Sequence, residues 1–175
     1  MKKTGLNDFK KYLSKKNTEE LKFELLSLYK SFSNIQEYYT SKINPDFEKD
    51  IFLKYKKIIE NEFFPRSGDP KYRYSIMNKA LSDFKKCSNN KTNIADLMIA
   101  YTEYGIQFTN EYGDIDQYFY NKIASTYNDA LKYIFENNLE NQFNNRILEI
   151  FNQTRDFAWG FSQEISNIFF LYYKK

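Results

Sequence analysis

Apolar residues recur along the chain at the spacing of an α-helix. The clearest stripe runs at intervals of four, three and four residues through Leu21, Leu25, Leu28 and Phe32. No stretch keeps the two-residue alternation of a half-buried strand between hairpin turns. The pattern therefore predicts helices throughout the chain and no strands.

Breaks between the helices fall at a few glycines, prolines and polar runs, of which 65–70 is the clearest loop. We count seven to eight helices, beginning with a short one over 6–13. Because the loops are short, neighbouring helices are expected to pack antiparallel. The predicted fold is all-α, a compact bundle or a helical-hairpin array in a single domain over 1–175.

Helix ends can be predicted from capping residues. Asp69 and Pro70 predict a helix start after the loop, because aspartate caps helices and proline suits the first helical position. Asp114 with Gln117 resembles a capping box, and Gly113 suits the left-handed residue that ends the preceding helix. The last helix is predicted from about Asp156, and near its start we expect Trp159 to pack in the core rather than contact a partner.

The chain has no segment suited to a membrane. Its longest apolar run, 168–173, has six residues, whereas a spanning helix needs about 20. Asp8, Lys10 and Lys11 stand where a secretory signal would be apolar. A single cysteine, Cys87, allows no internal disulfide and agrees with a reducing compartment. We therefore expect a cytoplasmic protein.

Composition removes most common enzyme mechanisms, because the 175 residues include no histidine. This excludes a Ser-His-Asp triad, a Cys-His pair, a His-Glu-x-x-His zinc site and an Arg-x-x-x-x-His nuclease motif. Aromatic residues make up 19 % of the chain, but residues with A/T-rich codons dominate it as a whole. The aromatic content is therefore weak evidence for stacking on nucleic acid.

Positive charge is concentrated in two segments. Residues 1–16 hold six lysines and one aspartate, net +5, and residues 66–91 hold seven lysines or arginines and two aspartates, also net +5. Side by side they would attract a phosphate backbone or an acidic protein, whereas apart each is a solvated face, which is what we expect. The residues singled out for anion or partner binding are Arg66, Lys71, Arg73 and Lys79.

Three carboxylates, Glu111, Asp114 and Asp116, lie within six residues at the joint between two helices. Such a cluster could hold a hard cation such as Mg²⁺. Helix capping and the helix dipole account for these acids without a metal. We therefore predict no metal and no cofactor, and keep the three only as a possible acidic site.

Four strings carry a resemblance to a known family: Glu62-Phe63-Phe64-Pro65, residues 79–86, residues 108–121 and Trp159-Gly160-Phe161. In this order they resemble an uncharacterised bacterial family catalogued as a domain of unknown function, and the likeness spans nearly the whole chain. The resemblance implies an all-helical bacterial cytosolic protein and no particular activity.

The expected function is that of a non-enzymatic module whose surface binds another protein, because no catalytic constellation, phosphate loop or metal-ligand pattern is found. The alternative is a nucleic-acid-binding accessory protein using segments 1–16 and 66–91. An enzyme using the carboxylates of the acidic site ranks third. The sequence gives no oligomeric state.

Overall fold

Nine α-helices make up the part of the chain that the computed structural model describes, residues 4–44 and 46–173. They are α1 (Leu6–Leu13), α2 (Thr18–Ser31), α3 (Ser33–Ile43), α4 (Phe47–Phe63), α5 (Tyr74–Cys87), α6 (Lys91–Tyr112), α7 (Gln117–Glu136), α8 (Glu140–Gln153) and α9 (Phe161–Tyr173). These residues contain no strand, which confirms the all-α prediction. The predicted count of seven to eight helices is not confirmed, because the described residues form nine.

The core forms around α6, which packs against α4, α5, α7 and α8. Helix α7 comes especially close, because α6 carries Gly105 where the two helices meet. A Cβ atom at Gly105 would lie 2.4 Å from Cδ1 of Ile123 on α7. The missing side chain is therefore what lets the two helices approach.

The N-terminal helices lie outside this core. Neither α1, α2 nor α3 contains a buried residue. Helix α2 packs on α3, and α3 in turn packs on α4 and α5. A hydrogen bond from Oγ of Ser41 to the carbonyl oxygen of Cys87, 2.6 Å long, helps to fasten α3 to the end of α5. None of the described helices has the length and apolar character needed to cross a bilayer.

Two predicted helix starts are wrong. Helix α5 begins at Tyr74 rather than at Pro70, because the backbone N–H groups of residues 71–73 bond back to Glu62 at the end of α4. Helix α9 begins at Phe161, since positive φ angles of 57° at Trp159 and 73° at Gly160 turn the chain just before it. Trp159 is 56 % exposed, so the expectation that it packs in the core is also wrong.

Candidate functional site

Arg73, one of the predicted anion-binding residues, is bound to a buried carboxylate. Glu62 lies at the end of α4 and is 5 % exposed. Its Oε2 accepts from Nε of Arg73 at 2.9 Å and its Oε1 from Nη2 at 2.7 Å, while the Arg73 backbone N–H also donates to Oε2. These bonds hold the pKa of Glu62 below its usual range. Arg73 therefore closes the loop onto α4.

The other three basic candidates do not join Arg73 in a cluster of free cations. Lys79 pairs with Asp83 one turn along α5. Arg66 and Lys71 are exposed on the loop before α5, and neither forms an ion pair with another residue that the structure describes. What the loop offers a ligand is thus two exposed and separately placed charges.

The two basic segments are connected only through other helices. In the first segment, Tyr12 donates to Oε1 of Glu24 at 2.5 Å and Lys16 pairs with the same oxygen at 2.8 Å, which ties α1 to α2. No hydrogen bond, ion pair or ring contact joins residues 4–16 to residues 66–91. Residues 1–3 of the first segment lie outside the described part of the chain.

The three carboxylates of the predicted acidic site have separate partners. Asp116 caps α7 by accepting from the Phe119 backbone N–H at 2.7 Å, so Asp116, and not Asp114 with Gln117, supplies the cap. Asp114 accepts from the Tyr120 hydroxyl at 2.7 Å, and Glu111 accepts from Nε2 of Gln107 at 2.8 Å.

The residues around this acidic site have structural roles. Burial, helped by the bond to Asp114, raises the pKa of Tyr120 to about 12. Gly113 ends α6 with a φ of 85°, as the sequence predicts. In the described residues no group of three or more His, Cys, Asp or Glu side chains has the geometry of a metal site. Each acid thus has a structural partner.

Three of the four strings noted in the sequence meet in one aromatic cluster inside the protein. The Phe63 ring lies 5.9 Å from that of Phe108 and 6.3 Å from that of Phe119. The Tyr120 ring lies 4.9 Å from that of Phe161. The strings at 62–65, 108–121 and 159–161 therefore supply packing, and the string at 79–86 lies on α5.

Exposed hydrophobic side chains of the described residues are concentrated in α1 and α2 and at the end of α2. We call residues 6–32 the N-terminal arm. Nine of its large hydrophobic residues are between 37 % and 75 % exposed: Leu6, Phe9, Tyr12, Leu21, Phe23, Leu25, Leu26, Leu28 and Phe32. Single exposed apolar residues are ordinary on a protein surface, but a run of this size marks an interaction site. The arm is the candidate functional site.

The sequence analysis identified one hydrophobic stripe of this arm, but it did not predict that the stripe is exposed. The additional signal was present in α2, where Phe23 and Leu26 lie off the stripe that contains Leu25. A helix with apolar residues on more than one face has more apolar surface than a single neighbour can cover. That signal could have marked the arm.

The fold defines an all-α protein whose candidate site is an exposed apolar surface. The chain belongs to the Family of unknown function (DUF6155), whose sequence profile matches residues 3–172. The resemblance to a family of unknown function is thereby confirmed. Neither the curated proteins nor the solved structures include a significant match to the chain.

Proposed function

We propose that this protein is a non-enzymatic interaction module that engages a protein partner through its N-terminal arm. The observation that carries this proposal is the exposure of the arm: neither α1 nor α2 has a buried residue, and Phe23 is 75 % exposed. Leaving such side chains in water is unfavourable by about 25 cal/mol for each Å² of apolar surface. A partner that covers them recovers that free energy.

The partner we assign to the arm is a second copy of this chain. The arm carries nine exposed hydrophobic residues, which supply apolar anchors for an interface, and a standard interface buries ~800 Å² on each partner. The arm also carries both signs of charge, with Lys10 and Lys11 on α1 and Glu19 and Glu20 at the start of α2. A two-fold pairing of arms can bring opposite charges together, because each copy presents the same surface.

The scaffold of this module is an antiparallel helical bundle working in the cytoplasm of a bacterium. Short connections between α6, α7 and α8, which pack on one another, support the antiparallel arrangement. The buried free thiol of Cys87 supports a reducing compartment. The absence of histidine from the sequence supports a role without catalysis.

Sedimentation of the full chain over a range of concentrations tests the proposal. We expect a monomer–dimer equilibrium in the micromolar range. Replacing Phe23 and Leu26 together by serine should weaken it by about tenfold or more, since buried apolar anchors dominate interface energy. Leu171→Ser is the matched control, because Leu171 is 66 % exposed on α9, outside the arm.

Two results would contradict the proposal. One is a wild-type chain that stays monomeric at the highest soluble concentration. The other is a Phe23 and Leu26 variant that dimerises as tightly as wild type. Circular dichroism on every variant verifies that the helices remain, so a weakened dimer reflects the arm surface and not unfolding.

A further inference from the structure

A groove lies between α5 and α7, on the side of the molecule where both helices pack on α6. Its volume is about 530 Å³, within the range of pockets that hold small molecules. A second cavity of about 250 Å³ shares Lys85, Thr126 and Asp129 with it and extends it along α7. The groove is therefore large enough for a metabolite of moderate size.

Positive charge dominates the lining of the groove. Lys85 and Lys86 enter from α5 and Lys122 from α7, against one acid, Asp129. Lys86 is held by Asp83 at 3.1 Å. Lys85 and Lys122 form no ion pair with any residue that the structure describes. Two walls of the groove thus each present a lysine without an ion-pair partner, and Asp129 acts on Lys85 only as a nearby negative charge.

Both of these lysines have a position fixed by an aromatic ring. Nζ of Lys85 lies 5.5 Å from the centre of the Tyr133 ring, and Nζ of Lys122 lies 5.1 Å from the centre of the Tyr118 ring. A cation over a ring is attracted to its face, which limits the freedom of the side chain. Desolvation lowers the pKa of Lys85, with Asp129 opposing the shift.

The groove also reaches a hydroxyl group that forms no hydrogen bond with the residues that the structure describes. Tyr101 of α6 is 1 % exposed and lines the groove. Its ring packs on Phe63 at 6.0 Å, but no described residue accepts or donates a hydrogen bond at its hydroxyl. Burial raises the pKa of Tyr101, so the hydroxyl keeps its proton and remains a donor. Ser125 and Thr126 add hydroxyl groups on the α7 side.

We propose that this groove binds a small phosphorylated molecule, with Lys85 and Lys122 supplying positive charge from its two walls and the Tyr101 hydroxyl donating a hydrogen bond to the ligand. Lysine is a common phosphate-binding residue, and two lysines favour an anion that carries more than one charge. A ligand group at the Tyr101 hydroxyl satisfies a polar atom that the chain leaves unpaired. The site is independent of the N-terminal arm, so either proposal can fail alone.

Titration calorimetry of the full chain with inorganic pyrophosphate tests the site. We expect saturable binding that weakens about tenfold in Lys85→Gln and in Lys122→Gln, because each substitution removes one charge that contacts the phosphate. Tyr101→Phe should weaken binding about threefold to tenfold, since it removes one hydrogen bond and keeps the ring. Lys49→Gln is the matched control, because Lys49 is an exposed lysine of α4 that does not line the groove.

Three results would overturn the proposal. The first is no binding of pyrophosphate at millimolar concentration. The second is an equal loss of affinity in Lys49→Gln, which would indicate attraction to net charge alone. The third is tighter binding of a short single-stranded oligonucleotide that is lost in the same lysine variants, which would assign the groove to a nucleic-acid surface. Circular dichroism verifies that each variant keeps its helices.

Discussion

The contact between Glu62 and Arg73 decides the path of the chain between α4 and α5. The Glu62 backbone oxygen accepts from the N–H groups of Lys71 and Tyr72 at 3.0 and 2.8 Å, while its carboxylate holds Arg73. These bonds keep Tyr72 at a φ of 33°, a value that residues other than glycine rarely adopt. Sequence around Asp69 and Pro70 favours an immediate helix start. The local sequence could not reveal that Glu62, eleven positions earlier, binds Arg73 and so delays the start of the helix.

Removing the Arg73 side chain should destabilise the fold. Arg73→Ala leaves the Glu62 carboxylate buried without its guanidinium partner, which we expect to lower the free energy of unfolding at neutral pH. Denaturant unfolding measures the difference. Arg73→Lys should recover part of it, because an ammonium group restores the charge without the two-pronged geometry. Equal stability of wild type and Arg73→Ala would contradict this role.

The Glu62–Arg73 pair also makes the difference in unfolding free energy between wild type and Arg73→Ala depend on pH. The folded pKa of Glu62 is lowered from its ordinary value of 4.5, so the stability it contributes is complete above that pH and is lost as the pH falls through the folded pKa. Arg73→Ala lacks this contribution. The gap in unfolding free energy between the two proteins should therefore narrow as the pH falls below about 4.5. A gap that stays constant into acid would exclude the ion pair as its source.

Among the helices, the contact of α6 with α7 depends on the absence of a side chain at Gly105. Alanine there would gain about 1 kcal/mol of helix propensity over glycine, yet its Cβ would meet Cδ1 of Ile123 at 2.4 Å and Cγ1 at 2.7 Å. Overpacking of a core costs about 1–3 kcal/mol, so we expect Gly105→Ala to lower stability despite the propensity gain. Thermal unfolding of the single variant measures this balance.

A double-mutant cycle tests whether the effect of Gly105→Ala comes from the contact with Ile123. Ile123→Ala removes the three atoms that lie nearest to the new Cβ, so the two substitutions together should cost less than the sum of their separate costs, by about 1–3 kcal/mol. Strict additivity would mean that the clash is relieved elsewhere in the core.

Helices could be predicted from the sequence because periodicity and caps are local signals. The expected first helix over 6–13 agrees with α1, and Gly113 ends α6 with positive φ as expected. Exposure is not local. The stripe from Leu21 to Leu28 lies on α2 as predicted, whereas Phe32 follows the end of that helix. Leu25 and Phe32 stay 43 % and 51 % exposed, because the helices of the described residues do not cover them. The sequence therefore predicts the helix that carries the candidate site, whereas the exposure of that helix depends on packing and is known only from the structure.

For the molecule as a whole, the structure predicts stability that rises from the N-terminal arm to the centre. Most of α6 is buried between its neighbours, including Leu97, Ile99 and Tyr101, whereas neither α1 nor α2 has a buried residue. Backbone amides exchange through openings whose free energy follows the packing around them. In dilute solution, hydrogen exchange followed by mass spectrometry should therefore be fastest in α1 and α2 and slowest in α6.

The dependence of hydrogen exchange on protein concentration distinguishes low local stability of the arm from its role as an interface. If two arms pair, raising the concentration through the dimer transition slows exchange in α1 and α2, because the amides of a covered helix open less often. Exchange in α6 should not change, since the arm makes no contact with it. The Phe23 and Leu26 serine variant should keep fast arm exchange at every concentration. Arm amides that exchange at one rate at all concentrations in wild type would show that the arm stays uncovered.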